Sequence, residues 1–338
     1  MLADAQSLSY QPAPLGTRDA RATVAAELSR RGARVSAGRV VMTASSSESY
    51  SLLLKLLCDP GQSVLVPAPS YPLFDYLAAL ESVQTRPYRL DEHNGFALDI
   101  TSVRHAIEPH TRAVVVVSPN NPTGTYLCRD ELAELAELCR EHQLAIIGDE
   151  VFADYPLGER PANAASVLDQ DRALGFCLGG LSKSIGLPQL KLGWMALCGP
   201  DTLAHDALAR LELICDTYLS VATPVQNALP ALLERGAVVQ AQIQARVRRN
   251  AHRLRGAAEA VPAITVLPAR GGWYGVVRVP AVRPEEELVL ELLERDHVLV
   301  HPGYFFDFAH GTFVVVSLLP RPEVFDRGVS RLLARLCE

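Results

Sequence analysis

The sequence contains 338 residues, and because domains usually contain about 100–200 residues it predicts about two domains. It is 49% hydrophobic and 21% charged, a composition typical of a globular protein and not of a disordered chain. The 32 basic and 38 acidic residues give a formal net charge of −6. This balance argues against a nucleic acid or a membrane surface as a partner bound mainly by charge.

The chain also lacks the sequence signals of export. Residues 1–14 carry no Lys or Arg and no long apolar core, so we predict no signal peptide, and no apolar stretch elsewhere reaches the ~18 residues of a membrane helix. The seven cysteines are odd in number, scattered and without a Cys-x-x-Cys pair. We interpret them as buried free thiols, which places the protein in the reducing cytoplasm.

Short apolar runs alternate with helical patterns between about residues 40 and 200. The runs are too short for helices and rich in Val, Ile and Leu: Val40–Thr43, Ser63–Pro67, Ala113–Ser118, Leu144–Gly148, Phe176–Gly179 and Leu192–Leu197. Such runs are typical of strands buried on both faces of a sheet. The helical patterns between them are Glu48–Cys58, Pro72–Ser82 and Arg129–His142. The alternation predicts an α/β fold with a doubly wound, mostly parallel sheet.

A different pattern follows a long helical region, predicted from about Val225 to Ala260 with breaks near Pro230 and Gly236. Beyond it we predict three strands and two helices, at Gly271–Pro280, Val298–Val300, Thr312–Leu319, Glu285–Arg295 and Glu323–Cys337. We therefore divide the chain into an N-terminal segment (1–16), a large domain (17–235) and a smaller C-terminal α+β domain (236–338).

Polar side chains follow five of the predicted strands, at the edge where open α/β sheets bind ligands. In chain order they are Ser45, Ser46 and Ser47, then Tyr71, Asn121, Asp149, and Ser182 with Lys183. The serines also suit a helix N-cap, Asn121 a turn, Asp149 a cap and Tyr71 a core aromatic position. Lys183 is harder to explain structurally, because buried lysine usually has a partner or a function and desolvated lysine is the nucleophile of Schiff-base chemistry.

Other cofactor and catalytic motifs are not matched. No Gly-x-Gly-x-x-Gly follows a strand, no P-loop or His-Glu-x-x-His motif occurs, and Gly180–Ser184 misses Gly-x-Ser-x-Gly at its last position.

Three motifs, taken in order, resemble the class I/II aminotransferases, enzymes of fold type I that use pyridoxal 5′-phosphate (PLP). They are Ser118–Gly124 (SPNNPTG), Asp149-Glu150 and Leu181–Ser184 (LSKS). Asn121 precedes Asp149 by 28 residues, and Asp149 precedes Lys183 by 34. The resemblance extends from about Tyr10 to the end of the chain.

The resemblance implies a role for each of these polar residues. Lys183 holds PLP as an internal aldimine and moves a proton between the substrate Cα and the cofactor. Asp149 pairs with the pyridinium nitrogen and so keeps the ring an electron sink. Asn121 hydrogen-bonds the phenolic oxygen, and Tyr71 stacks on the ring.

The remaining implied contacts are to the phosphate. They come from Ser45, Ser46, Ser47, Ser182 and Lys191, and from Tyr10 of the neighbouring subunit, so the resemblance implies a homodimer.

Four positions depart from the family pattern. Lys191 stands where the family has an arginine that forks onto the phosphate, and Gly180 where it often has a serine. Phe152 replaces a tyrosine that donates to the phenolic oxygen, a role left open to Tyr155. Val315 replaces the arginine that binds the substrate carboxylate.

Two features of the C-terminal domain bear on the substrate. Arg270 is a candidate to replace the missing cation, although it also suits a solvated loop. Tyr304 begins an aromatic cluster, with Phe305, Phe306 and Phe308, that suits either a substrate pocket or a core seam.

We therefore predict a PLP-dependent aminotransferase with a ping-pong exchange between an amino acid and a 2-oxo acid. A PLP-dependent lyase or decarboxylase is the alternative, because of Phe152 and Val315. A non-catalytic PLP-binding module is a third reading, disfavoured because no basic recognition helix precedes the first strand. No metal, nucleic acid or membrane partner is predicted.

Overall fold

The computed structural model describes residues 5–337, so residues 1–4 and 338 of the predicted domains lie outside it. The strands found there are β1 (Val40–Thr43), β2 (Ser63–Ala68), β3 (Gln84–Asp91), β4 (Ala97–Leu98), β5 (Thr111–Val117), β6 (Ala145–Asp149), β7 (Gly175–Gly180), β8 (Gly193–Cys198), β9 (Thr265–Val266), β10 (Tyr274–Val279), β11 (His301–Pro302) and β12 (Thr312–Ser317). The α helices are α1 (Arg18–Arg30), α2 (Ser46–Leu57), α3 (Phe74–Leu80), α4 (Ile100–Ala106), α5 (Arg129–His142), α6 (Leu181–Ser184), α7 (Asp201–Tyr218), α8 (Thr223–Ala258), α9 (Glu285–Asp296) and α10 (Pro322–Leu336).

The large sheet has eight strands in the order β1-β8-β7-β6-β5-β2-β3-β4. Strands β7, β6, β5, β2 and β3 are parallel, whereas β8 runs antiparallel to both β7 and β1. Alternate side chains enter two cores, as Ile146 packs with α1 and α5 on one face and Ile147 packs with α2 and α7 on the other. The predicted doubly wound α/β fold is confirmed.

The second sheet has four antiparallel strands in the order β11-β12-β10-β9. One face, which includes Val314 and Val316, packs against α8, α9 and α10. The other face carries Val276, Phe313 and Val315, which pack with Phe96 of the large domain and Phe306. This second face is therefore turned toward Phe96, the residue before strand β4 of the large sheet.

Several predicted elements need correction. Strands β3 and β4 are absent from the prediction, because β3 is a partly exposed strand near the sheet edge with the polar sequence QTRPYRLD. Val298–Val300 is not a strand, and pairing begins only at His301.

The predicted breaks in the long helix are also wrong, since α8 is continuous through Pro230 and Gly236. Its packing against α1 and α10 outweighs the helix penalty of about 3 kcal/mol that proline carries. The proposed boundary between residues 235 and 236 lies inside α8, and the division into domains stays a prediction.

All seven cysteines are free thiols. Cys139, Cys177, Cys198 and Cys215 are buried, but Cys337 is exposed, contrary to the expectation that all are buried. Across residues 5–337, no helix combines the length and the apolar character needed to cross a membrane.

Candidate active site

The predicted site residues meet at one edge of the large sheet. Because β1, β2, β5, β6 and β7 point the same way, the segments after their carboxyl ends converge there. The edge therefore assembles side chains that lie far apart in the sequence, from Ser45 to Lys183.

Lys183 lies in the short helix α6, directly after β7. Its Nζ is 5.6 Å from the centroid of the Phe152 ring and 5.3 Å from that of the Trp273 ring. Burial lowers the pKa of Lys183, while the Asp149 carboxylate raises it. The amine makes no hydrogen bond and no ion pair within residues 5–337, so it is partly desolvated and chemically available.

Asp149 is the last residue of β6 and is 8% exposed. Its carboxylate accepts hydrogen bonds from the Tyr50 hydroxyl (3.1 Å) and the Val151 N–H (3.2 Å). Burial raises the pKa of Asp149, and those two donors and Lys183 partly oppose the rise. A buried carboxylate of this kind suits a cationic partner.

Tyr50 was not predicted as a site residue. It lies in α2, one helical turn after the serine run, and its ring packs edge-on against Phe74 at 5.4 Å. The sequence contained a weak signal for it, since a buried tyrosine hydroxyl usually needs a partner.

Asn121 and Tyr71 lie on the loops after β5 and β2. Asn121 is buried, yet its Oδ1 has no hydrogen-bond partner among the described residues, whereas the amide of Asn120 donates to Pro69 O (3.0 Å) and Thr123 Oγ1 (2.9 Å). Tyr71 is 41% exposed, and burial together with the Asp149 charge raises its pKa. Asn121 thus keeps hydrogen-bonding capacity, while Tyr71 presents a ring near Asp149.

The serine run supplies the predicted N-cap, while its predicted contact with a phosphate stays a prediction. Ser45 is the N-cap of α2, since its hydroxyl accepts the Glu48 N–H at 3.1 Å. The hydroxyls of Ser46, Ser47 and Ser182 make no hydrogen bond inside the described part of the chain. Ser46 and Ser47 lie in the first turn of α2, where free N–H groups and the helix dipole favour an anion.

Tyr155 does not substitute for the hydroxyl that Phe152 lacks. Its own hydroxyl is directed at the carbonyl oxygens of Lys183 (2.6 Å) and Ser184 (3.0 Å). The single hydroxyl hydrogen is thus engaged with the backbone of α6, where Tyr155 supports the turn that carries Lys183. The Phe152 ring packs against Trp273 (5.3 Å) and Tyr274 (6.4 Å).

The structure explains the glycine at position 180. Gly180 pairs with Gly193 of β8, and a Cβ at residue 180 would lie 3.0 Å from Gly193 Cα and 3.2 Å from the carbonyl oxygen of Leu192. The two strands thus approach each other too closely for the serine of the family pattern.

We expect Gly180→Ser to lower the free energy of unfolding by about 1–3 kcal/mol, because the added atoms overpack a backbone contact. Gly158→Ser is the control, since a Cβ there meets nothing within 4 Å. Denaturant unfolding of both variants measures the difference, and equal stabilities would show that β7 and β8 separate easily.

The other predicted site residues are exposed on the surface. Lys191 is exposed and ends the turn before β8, while Tyr10 is 81% exposed. Arg270 is exposed, and its backbone N–H and C=O bond to Gly124 O (3.1 Å) and Leu157 N (2.8 Å). None of these three side chains forms a hydrogen bond within residues 5–337, so their roles stay predictions.

The aromatic cluster has two parts, one that belongs to the core and one that is exposed. Phe306 is buried beside Tyr274, and Phe308 stacks on Phe313 at 4.3 Å, so these rings belong to the core. Tyr304 and Phe305 are about half exposed and contact each other edge-on at 4.9 Å. Only this exposed pair is available to a ligand.

The chemistry of the donor set fits PLP. Judged within residues 5–337, it offers an unpaired amine (Lys183), a buried carboxylate (Asp149), an amide whose NH2 group donates to no protein acceptor (Asn121) and free hydroxyls at a helix N-terminus (Ser46 and Ser47). No group of three or more His, Cys, Asp or Glu side chains in residues 5–337 could hold a metal ion.

Comparison with known proteins identifies the class. The family model described as aminotransferase class I and II matches residues 2–332. The chain therefore belongs to this family, and it is a transferase of the aminotransferase type with the fold type I architecture.

Individual relatives share about a quarter of their residues with this chain. Glutamate-pyruvate aminotransferase AlaA of Escherichia coli is 27% identical over 323 residues, which cover 94% of this chain and 80% of that protein. Alanine aminotransferase of Mycobacterium bovis is 27% identical over 302 residues, covering 85% and 68%. Alanine aminotransferase from Pyrococcus furiosus has a TM-score of 0.88 at 25% identity, covering 97% of this chain and 84% of that chain.

Proposed function

We propose that this chain exchanges an amino group between an amino acid and a 2-oxo acid by a ping-pong mechanism, with PLP held at Lys183. The observation that carries the proposal is the amine of Lys183, which is partly desolvated, makes no hydrogen bond or ion pair within residues 5–337 and interacts with the buried carboxylate of Asp149. PLP, when bound, supplies an electron sink that makes the substrate Cα–H acidic.

The chain's own residues bind, orient and move protons. Lys183 would hold PLP through its Nζ, with the aldehyde oxygen leaving as water, and its amine would carry the proton released from the substrate Cα. Asp149 would keep the pyridine nitrogen protonated, and Tyr50 fixes that carboxylate through its hydroxyl. Asn121 would orient the ring through its amide, and Tyr71 would cover the ring.

The phosphate is assigned to the start of α2. Ser46 and Ser47 offer free hydroxyls there, while Ser45 closes the helix end. Ser182 and Lys191 add a hydroxyl and a positive charge from the segment between β7 and β8. The lysine would supply charge to the phosphate without the two-pronged hydrogen bonding of arginine.

A lyase or decarboxylase is the second candidate, because two side chains of the family pattern are missing. Phe152 stands where the pattern has the hydroxyl of a tyrosine, and Val315 stands where it has the charge of an arginine. The two reactions differ in product. Transamination returns a 2-oxo acid, whereas decarboxylation releases carbon dioxide.

Mixing the PLP-loaded enzyme with single amino acids and amines tests the function. We expect some donors, with alanine and glutamate among those tried, to convert the visible absorbance of bound PLP to that of the pyridoxamine form with release of a 2-oxo acid. Release of carbon dioxide without an oxo acid would favour the second candidate. A protein that never gains visible absorbance with PLP would contradict both.

We also propose a homodimer in which Tyr10 reaches the phosphate of the partner subunit. Its support is the strong exposure of Leu8 (78%) and Tyr10 (81%), which a second subunit would cover.

The free thiols are consistent with a reducing compartment, and we assign the enzyme to the cytoplasm.

For Tyr10→Phe, we expect PLP affinity to fall by about 10-fold, because one hydrogen bond to a charged group is lost. Absorbance titration with PLP measures the affinity, and sedimentation checks that the dimer persists. A wild-type protein that is monomeric and fully active at every concentration would rule out the shared site.

A further inference from the structure

The carboxylate of the substrate needs a partner that the central strand of the small sheet does not supply. This requirement rests on the proposed function, since an amino acid and a 2-oxo acid both carry a carboxylate. On the face of β12 turned toward the large domain stand Phe313, Val315 and Ser317, none of them charged. Val315 is fully buried, so it leaves no room for a polar group at its own position.

The neighbouring strand places an imidazole beside this position. In the antiparallel pairing of β11 with β12, His301 lies directly opposite Val315. Directly opposite residues project from the same face of a sheet, with Cβ atoms about 4.5–5.5 Å apart. His301 is exposed, unlike Val315, and its imidazole has no hydrogen bond or ion pair among the described residues.

Aromatic rings connect His301 to the reactive amine. Its ring centroid lies 6.2 Å from that of Phe305 and 6.3 Å from that of Phe306. Phe306 is 6.5 Å from Tyr274, which is 6.4 Å from Phe152, and the Phe152 ring lies 5.6 Å from Lys183 Nζ. A chain of ring contacts thus runs from the imidazole to the amine, through the buried rings of Phe306 and Phe152.

Backbone contacts hold these rings against the large domain. The carbonyl oxygen of Phe306 accepts the Ser70 N–H at 2.9 Å, next to Tyr71. The carboxylate of Glu285 accepts the N–H groups of Tyr304 (2.8 Å) and Phe313 (2.6 Å), which fixes both ends of the loop between β11 and β12. The position of His301 relative to Tyr71 is therefore set by the fold.

Other cations near this face are less suitable. Arg278 lies on the same face, but it forms an ion pair with Glu92 and covers the Phe313 ring at 5.3 Å. Arg270 is an exposed guanidinium without a side-chain partner in residues 5–337, and its backbone is bonded to Gly124 and Leu157 and not to β11 or β12.

We propose that His301 binds the substrate carboxylate, with an imidazole N–H donating to a carboxylate oxygen, beside the exposed ring of Phe305, which itself contacts Tyr304. The imidazole thereby supplies the contact that Val315 cannot make. The exposed rings beside it favour donors with an aromatic or bulky apolar side chain.

The test compares an amino acid with its decarboxylated amine, for example phenylalanine with phenethylamine, in single turnovers of the PLP-loaded enzyme. His301→Leu is expected to lower the second-order rate constant for reaction with the amino acid by about 10- to 100-fold. This is the usual effect of losing a hydrogen bond to a charged group. The amine rate and the PLP affinity, measured by absorbance titration, should not change. His301→Arg should restore most of the loss.

His310→Leu is the matched control, since His310 is an exposed histidine in the loop that joins β11 to β12 and has no ring contact among the described residues. Equal losses for the amino acid and the amine would overturn the proposal, and so would a loss in Arg270→Ala with none in His301→Leu. If the wild type reacts with neither compound nor any other donor, the proposed function itself fails. A wild type that reacts with donors but is insensitive to His301→Leu overturns only the carboxylate assignment.

Discussion

Replacement of Lys183 by alanine is expected to lower the transamination rate by at least about 1,000-fold, since a positioned acid–base group alone contributes 10²–10⁴-fold. The variant should also lose the visible absorbance that PLP gains when it bonds covalently to a lysine. The Lys183 amine interacts with the charge of Asp149, and it has no hydrogen bond or ion pair in residues 5–337. Rapid mixing with the best donor and an absorbance spectrum measure the two effects.

Two further variants separate the amine from its charge. Lys183→Arg keeps a cation above the Phe152 and Trp273 rings, but a guanidinium does not form a stable imine, so we expect the same loss. Lys55→Ala is the control, because Lys55 pairs with Glu81 at the surface of α2. Retention of absorbance in Lys183→Ala would place the covalent bond at another amine.

Asp149→Asn is expected to lower the transamination rate by about 100- to 10,000-fold, a range typical of lost acid–base and charge contacts in an active site. The amide has the same shape and can still accept from the Tyr50 hydroxyl, but it has no charge to hold a proton on the pyridine nitrogen. Single-turnover rates measure the loss. Wild-type rates in Asp149→Asn would exclude Asp149 as the partner of that nitrogen.

The same substitution should stabilise the protein when no PLP is present. Burial raises the pKa of Asp149 in the folded state. At pH values above that raised pKa, the charged carboxylate therefore lowers the free energy of unfolding. The cost disappears as the pH falls through it and the carboxyl becomes neutral. The gain in Asp149→Asn should therefore be full at high pH and vanish in acid, as urea unfolding at several pH values would reveal.

Tyr50→Phe provides the milder comparison. It removes one hydrogen bond to the carboxylate and keeps the ring contact with Phe74, so a rate loss of about 10-fold is expected. A loss as large as that of Asp149→Asn would mean that the Tyr50 hydroxyl, and not the charge, dominates the site.

Local sequence signals were sufficient for most of the large sheet and one complete helix. Arg129–His142 was predicted with its observed bounds, because the apolar period of 3.6 and the flanking acidic and basic residues agree. Strand β1 was likewise predicted as observed, since its four apolar or small residues are buried on both faces of the sheet. Strand β3 lacks that signal, because its neighbours leave it partly exposed and its side chains are mostly polar.

What the sequence alone determined about this protein is its chemistry in outline: the fold class, the family, and the order of Asn121, Asp149 and Lys183 along the chain. These follow from residue types and short spacings, which act within one element and the turn after it. Only the tertiary structure decided three contacts. The Tyr50 hydroxyl donates to Asp149, the Tyr155 hydroxyl donates to the backbone of α6, and His301 lies opposite Val315. Those contacts join residues 14 to 99 positions apart, and they depend on strand register and helix packing, for which no local pattern carries the information.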